Sequence, residues 1–364
     1  MQIDMHYYGT YAMARAAGLK KEVCEVIATA AQFVDDNAEK ESVAFRDGAR
    51  LDVEATAHHA INVKNLDRED QRKIWVPFHF LPGNDGDSYT QRLVCKKDSE
   101  IAREMIEFNL SLLDKPFALP LVGITAHVYA DTFSHYGFSG VSSRANKIVN
   151  DSIAFHSLDP KIKQYITDKA DEFKNNYPDE GGLLHNIKSW FAEGASGALG
   201  HGAVMTYPDR PYLIWDFEYE NDPDGARCPT RNNPETYLEC CIKLHEIFQR
   251  VAKARAEFSD NAAFMDFSKI EPVVKKIIGL QACKQDRIDA WKNAARKGNL
   301  FGTGKEKIPE YDENNWHNNR ENLKREKDSR VAPKLPVFRF YQAAAVHRIN
   351  VIRHILPEKE LVVA

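Results

Sequence analysis

The sequence has no run close to the roughly 18 uninterrupted apolar residues of a membrane span, so no transmembrane helix is expected. Residues 1–8 carry neither a basic leader nor an apolar stretch, and no secretory signal is read there. Cysteine is scarce. Cys24, Cys95, Cys228, Cys240, Cys241 and Cys283 are dispersed, with no C-x-x-C pair, which argues against a disulfide framework and a zinc ribbon and fits reduced thiols in a cytoplasm. Also missing are the G-x-S-x-G elbow of serine hydrolases, the P-loop, the dinucleotide-binding glycine pattern and an adjacent His-Asp pair, so those enzyme classes have no support. A formal net charge of -4 gives no global reason to bind nucleic acid or an anionic membrane.

What is present is the balance of a globular protein, 43% hydrophobic and 28% charged over 364 residues. Helical periodicity dominates. It predicts helices over 8–19 and 21–35, 99–113, 119–135, 159–175, 183–199, 234–258, 270–297 with breaks, and 336–356. Residues 42–54 alternate around Asp47-Gly48, which predicts a β-hairpin. The short aromatic segment 74–80 reads as extended, ending in the Pro82-Gly83-Asn84 loop. Cys240-Cys241 falls in a helical pattern and reads as core. Residues 298–335 are rich in Gly, Asn, Lys and Glu and read as a surface-wrapping connection.

The expected fold class is therefore mainly α: a helical bundle around a buried central helix at about 117–136, with a small β-hairpin or extended insertion near 42–80. Residues 1–297 are expected to form one helical domain, read as metal-binding on the residues described next. Residues 298–364 supply the connection and a C-terminal helix packed on the same domain.

The strongest chemical signal lies in the central helix. His127, Asp131 and His135 recur at i, i+4, i+8, so their side chains share an ~80° sector over about 12 Å of helix. Their neighbours Leu121, Val122, Ile124, Val128 and Phe133 make the rest of that helix apolar. An ionised carboxylate between two imidazoles in such surroundings is costly unless it is paired or coordinated. A hydrogen-bonded ladder would explain an isolated His-Asp pair; three polar residues on one stripe favour divalent metal, for which imidazole and carboxylate are the usual ligands. Weaker candidates are Asp4 and His6 near the N-terminus, Asp35 and Asp36 at the end of the second helix, His79, and the His58-His59 pair.

The order of an N-terminal His, an Asp, the turn Phe78-His79-Phe80-Leu81-Pro82-Gly83-Asn84-Asp85 and then a buried H-x-x-x-D helix with a further His resembles the zinc-dependent phospholipases C and the related single-strand-specific nucleases, here as a divergent intracellular bacterial branch. The resemblance covers residues 1–140. It implies a helical bundle with a centre of two or three zinc ions, or other divalent metals, that hydrolyses phosphodiesters. It further implies His6 as an N-terminal ligand, Asp35 as ligand or base, His79 and His127 on one ion, Asp131 bridging, and His135 on a neighbour.

Three departures follow, the first being that the further His stays in one helical register, H-x-x-x-D-x-x-x-H, where relatives of that kind place it farther beyond the Asp. Relatives of that kind use an N-terminal amine as a ligand, and Asp4 is the expected substitute. Their closing H-x-x-x-E is missing, and Gly200-His201 with Asp209 is the best replacement. Asp36, or Asp35 where it is not a ligand, would orient the attacking water. Arg210 would hold a phosphate oxygen pair, unless it is simply an exposed loop residue. The expected partner is a phosphodiester in a lipid head group, a nucleic acid or a small molecule. The alternatives are a non-catalytic, metal-stabilised interaction protein and an amide or ester hydrolase using the same ions.

Overall fold

The computed structural model describes residues 1–38, 42–58, 68–175, 199–220, 228–326 and 328–363. A π-helical turn, Asp4–Gly9, leads into α1 (Thr10–Ala16), and α2 follows at Lys21–Asp36. A two-stranded hairpin, β1 (Val43–Ala44) with β2 (Arg50–Leu51), turns at Asp47-Gly48 as the alternation predicts. The chain then forms α3 (Val76–Phe78), α4 (Glu100–Ser111, capped by the Ser99 hydroxyl) and the central α5 (Ala118–His135). Strand β3 (Ala154–His156) and helix α6 (Pro160–Asn175) precede β4 (Ile214–Asp216) and β5 (Arg231–Asn232). The remaining helices are α7 (Asn233–Ala254), α8 (Phe267–Ile278), α9 (Lys284–Arg296), α10 (Glu313–Leu323) and α11 (Pro336–Asn350).

The fold is mainly α with two small sheets, and α5 is its axis. Every residue of α5 except Leu119 is buried, as an all-round apolar helix requires. Helix α2 packs along it most extensively, with α11, α7, α4, α3 and the first π-turn completing the sheath. Gly123 sets the approach of α2: a Cβ there would lie 2.4 Å from the Ile27 carbonyl oxygen and 2.5 Å from the Ala30 Cβ. Among the described residues no helix is long and apolar enough to cross a membrane.

Three expectations need correction. Residues 74–80 are not extended. A π-turn, Gln71–Trp75, runs into α3, and His79 leaves it with φ -131°. The short aromatic run misled because the segment is buried on most sides, and a brief apolar stretch does not separate strand from helix. Second, 298–335 does more than wrap the surface. Leu300, Phe301 and Ile308 are buried, and α10 places Trp316 edge-on to Phe33, ring centroids 5.1 Å apart. Widely spaced apolar anchors gave no periodic signal. Third, a three-stranded antiparallel sheet, β3-β4-β5, pairs Phe155 with Trp215 and Trp215 with Arg231. Its strands are too short and too distant in sequence to announce themselves. The helix expected at 183–199 lies almost wholly outside the described residues.

Gly123→Ala tests the α2–α5 approach. The substitution adds helix propensity of about 1 kcal/mol, while overpacking costs roughly 1–3 kcal/mol, at the upper end here because the clash is with backbone, so the expected net result is a loss of about 2 kcal/mol in urea denaturation. An unchanged midpoint would mean the two helices are not in the contact described.

Candidate metal centre

The side chains of His127, Asp131 and His135 point from one face of α5 into the bundle, and three other elements meet them there. The π-turn brings His6, the end of α2 brings Asp35, and the exit of α3 brings His79. The Asp131 carboxylate is fully buried. Its Oδ2 lies 3.2 Å from His127 Nε2, 3.3 Å from His79 Nδ1 and 3.5 Å from His135 Nδ1. Its Oδ1 lies 3.2 Å from His6 Nε2. Asp35 Oδ1 is 3.8 Å from both His79 Nδ1 and His127 Nε2.

A second cluster abuts the first. His135 Nε2 is 3.1 Å from Asp209 Oδ1, and His201 Nε2 is 3.5 Å from Asp209 Oδ2. Three donor groups result: His6, His127 and Asp131; Asp35, His79 and His127; and His135, His201 and Asp209. Within each, the donor atoms lie within 4.8 Å of one another.

The hydrogen bonds of the rings reveal what the clusters are built to hold. His127 Nδ1 donates to the Ala31 carbonyl at 2.7 Å, His79 Nε2 to Thr56 at 2.9 Å, His135 Nδ1 to His79 at 2.8 Å and His201 Nδ1 to Met205 at 2.6 Å. A carbonyl oxygen only accepts, so each of these nitrogens carries the proton. In the neutral ring the other nitrogen is then a bare lone pair, and all four face inwards. His127 Nε2 and His79 Nδ1 stand 3.2 Å apart with no proton between them.

His6, stacked on His127 at 3.9 Å, has neither ring nitrogen hydrogen-bonded among the described residues. Lone pairs converging on carboxylates repel one another unless a cation lies among them. Backbone carbonyls that fix the tautomer from behind are the usual outer support of metal-bound histidine. The residues present therefore fit divalent ions, with Asp35, His79 and His127 able to supply three donors to one of them.

The Met1 nitrogen also enters the site. Its ammonium donates to Asp131 Oδ1 at 2.6 Å and lies 3.3 Å from Asp209 Oδ1. Burial opposes that charge, but Asp131, Asp209 and Asp35 outweigh the penalty and raise the amine to about 11. Asp4 is not at the centre. The Arg287 guanidinium takes both of its oxygens, at 2.7 and 3.2 Å, in a buried ion pair, so the expected substitution of Asp4 for an amine is overturned. Asp36 also turns away, accepting from the Tyr311 hydroxyl and the Gln32 amide; burial raises its pKa to about 6. His58 pairs with Asp70, and His59 lies outside the described residues.

Other supports carried no signal in the sequence. Arg231 donates to the Ser134 and Tyr136 carbonyls at 2.7 Å each, satisfying the end of α5 next to His135. Phe80 stacks on His135 with centroids 4.7 Å apart. Gly200 presses on that same Phe80 ring, which a Cβ there would meet at 2.4 Å, so this glycine serves ring packing beside His201. The turn carrying Asp209 is pinned from behind. The Asn233 amide donates to the Tyr207 and Arg210 carbonyls, and the Tyr237 hydroxyl to Pro208. Arg210 itself is buried rather than exposed.

Burial pushes four histidines down: His6 to about 3, His201 to about 4, His347, held between the Pro77 carbonyl and Asn109, to about 4, and His245 below its usual value. An unfolded chain protonates its histidines near pH 6.5. Below that pH the unfolded state binds more protons, so stability falls as pH drops, at roughly 1.4 kcal/mol per unit per group, until the folded-state values are reached. The Met1 amine acts oppositely: its contribution is whole below pH 8 and fades as pH rises towards 11. Chelator-treated protein should thus be most stable between about pH 6.5 and 8. Urea midpoints measured from pH 4 to 10 check this, and a flat profile between pH 7 and 5 would contradict the buried neutral rings.

No curated protein and no solved structure matches the chain. A family model described as a family of unknown function, DUF6765, matches residues 1–355, and the chain belongs to that family.

Proposed function

We propose that the protein is a metal-dependent hydrolase, a phosphodiesterase of the phospholipase C type with two or three zinc ions at the Asp131 centre. The observation that carries this reading is the convergence of bare imidazole nitrogens on the carboxylates of Asp35, Asp131 and Asp209, with four of the rings fixed from behind by backbone carbonyls. Three carboxylates face one contacting ammonium, and divalent ions make up the difference. Bound ions would lower the pKa of water and neutralise charge on a phosphoryl group.

The chain's own residues supply the rest. Asp131, with an oxygen towards each side, suits a bridging ligand. Asp35 is the most accessible of the three carboxylates, its side chain a third exposed, and with Asp36 engaged by Tyr311 it is the better general base where it is not itself a ligand. Water forms the new bond to phosphorus, the ester oxygen departs, and the proton released passes through Asp35 to the leaving alcohol.

One observation favours a second reading. The donors are mostly buried, and a cavity of about 480 Å³ beside Arg50, Glu54 and Arg348 shares no residue with them. A closed centre that staples the bundle without catalysis fits that placement.

Elemental analysis of protein never exposed to chelator should give two or three equivalents of zinc, and Asp131→Asn should lower that number. Hydrolysis of bis-p-nitrophenyl phosphate should vanish with chelator and return with zinc. Bound zinc without turnover would support the stapling role, turnover of p-nitrophenyl acetate alone would support an ester hydrolase, and less than one equivalent of metal would end both metal readings.

A further inference from the structure

Five arginines are buried among the described residues, and four have obvious partners. Arg15 pairs with Glu306 and Asp260, Arg287 with Asp4, and Arg320 with Glu321, while Arg231 donates to two carbonyls and stacks on Tyr136 at 3.6 Å. Arg210 differs. It is 6% exposed, yet its only hydrogen bond runs from Nη1 to the Tyr212 hydroxyl at a long 3.4 Å. Its Nε–H is buried with no partner, and its plane lies 5.7 Å from the centre of the Tyr165 ring. Among the described residues no carboxylate reaches it. A guanidinium keeps its charge at any working pH, so a buried one without an anion is an incomplete interaction.

Its location says what would complete it. Arg210 follows Asp209 directly, on a turn from Thr206 to Leu213 closed by its own backbone hydrogen bonds and clamped by Asn233. Adjacent Cα atoms are about 3.8 Å apart, so the Arg210 backbone adjoins the group formed by His135, His201 and Asp209, and the arm that carries the guanidinium starts from its edge. Its planar fork matches two oxygens of a tetrahedral oxyanion, and Tyr165 and Tyr212 form the wall that confines it.

We propose that Arg210 is the anion-recognition residue of this site, taking two oxygens of a phosphoryl group presented to the His135–His201–Asp209 corner. The substrate class is then a phosphate ester rather than a neutral ester or amide. The assignment rests on the metal reading above, and its test separates the two.

The probe is inorganic phosphate, titrated calorimetrically into full-length protein as purified, with zinc content measured on the same samples for the unmodified chain, Arg210→Gln and Arg210→Lys. The expected result is unchanged zinc in Arg210→Gln, phosphate binding weakened at least tenfold, and an intermediate loss in Arg210→Lys, which keeps the charge but not the fork. Without phosphate the Gln variant should melt no lower than the parent, because it removes an uncompensated buried charge, and phosphate should raise the melting temperature of the parent alone. Phosphate bound equally well by Arg210→Gln would overturn the assignment while leaving the metals in place, as would a collapse in stability of both variants, which would make Arg210 structural. Absence of zinc from the parent would instead remove the reading beneath it.

Discussion

The carboxylate of Asp131 sits at the centre of an otherwise apolar helix, and most of the architecture follows from what that burial demands. An ion of this size taken from water without compensation costs several kcal/mol even after relaxation. The bundle brings four histidine nitrogens and one ammonium within about 3.5 Å of its two oxygens, from the N-terminal turn, the exit of α3 and α5 itself; the ammonium offsets part of the charge, and the inward lone pairs add to the demand for a cation. Burial alone would raise the pKa of Asp131; His135, the Met1 ammonium, His127 and His6 reverse that and hold it well below the usual range. An acid kept ionised in so dry a place is suited to a cation.

The support is divided between side chains and backbone. Side chains supply the inward-facing donors, while main-chain carbonyls of Ala31, Thr56, His79 and Met205 decide which nitrogen of each ring is free. The close approach of α2 to α5 at Gly123 matters beyond packing, since α2 delivers both the Ala31 carbonyl and Asp35. In the same way the Asp4–Arg287 ion pair, although outside the donor groups, anchors the first turn that carries His6 and brings the Met1 nitrogen inward.

The second corner is assembled differently. Asp209 comes from an irregular turn, where precision has to come from hydrogen bonds and ring contacts. Asn233 and Tyr237, both on α7, hold the backbone of that turn, and Trp215 in turn donates to Asn233. The short sheet β3-β4-β5 and its aromatic cluster brace it from the other side. A buried guanidinium in so well ordered a turn, reached by no carboxylate among the described residues, sets Arg210 apart from the four other buried arginines.

How much of this could be read from the sequence depends on the range of the interaction concerned. The helices with clean periodicity, and the stripe of His127, Asp131 and His135, follow from contacts within a few residues, and local pattern alone determined them. The hairpin at Asp47-Gly48 was legible for the same reason. His6, Asp35, His79, His201 and Asp209 could be nominated by residue type and by resemblance, but only tertiary structure decided that they meet, and that Asp4 is claimed by Arg287 instead. Nothing in the sequence marks a carbonyl as the partner of a distant imidazole, because backbone carbonyls are the same at every position. Sequence therefore determined the axis and its polar stripe, and long-range packing decided which donors surround it and which nitrogen each ring presents.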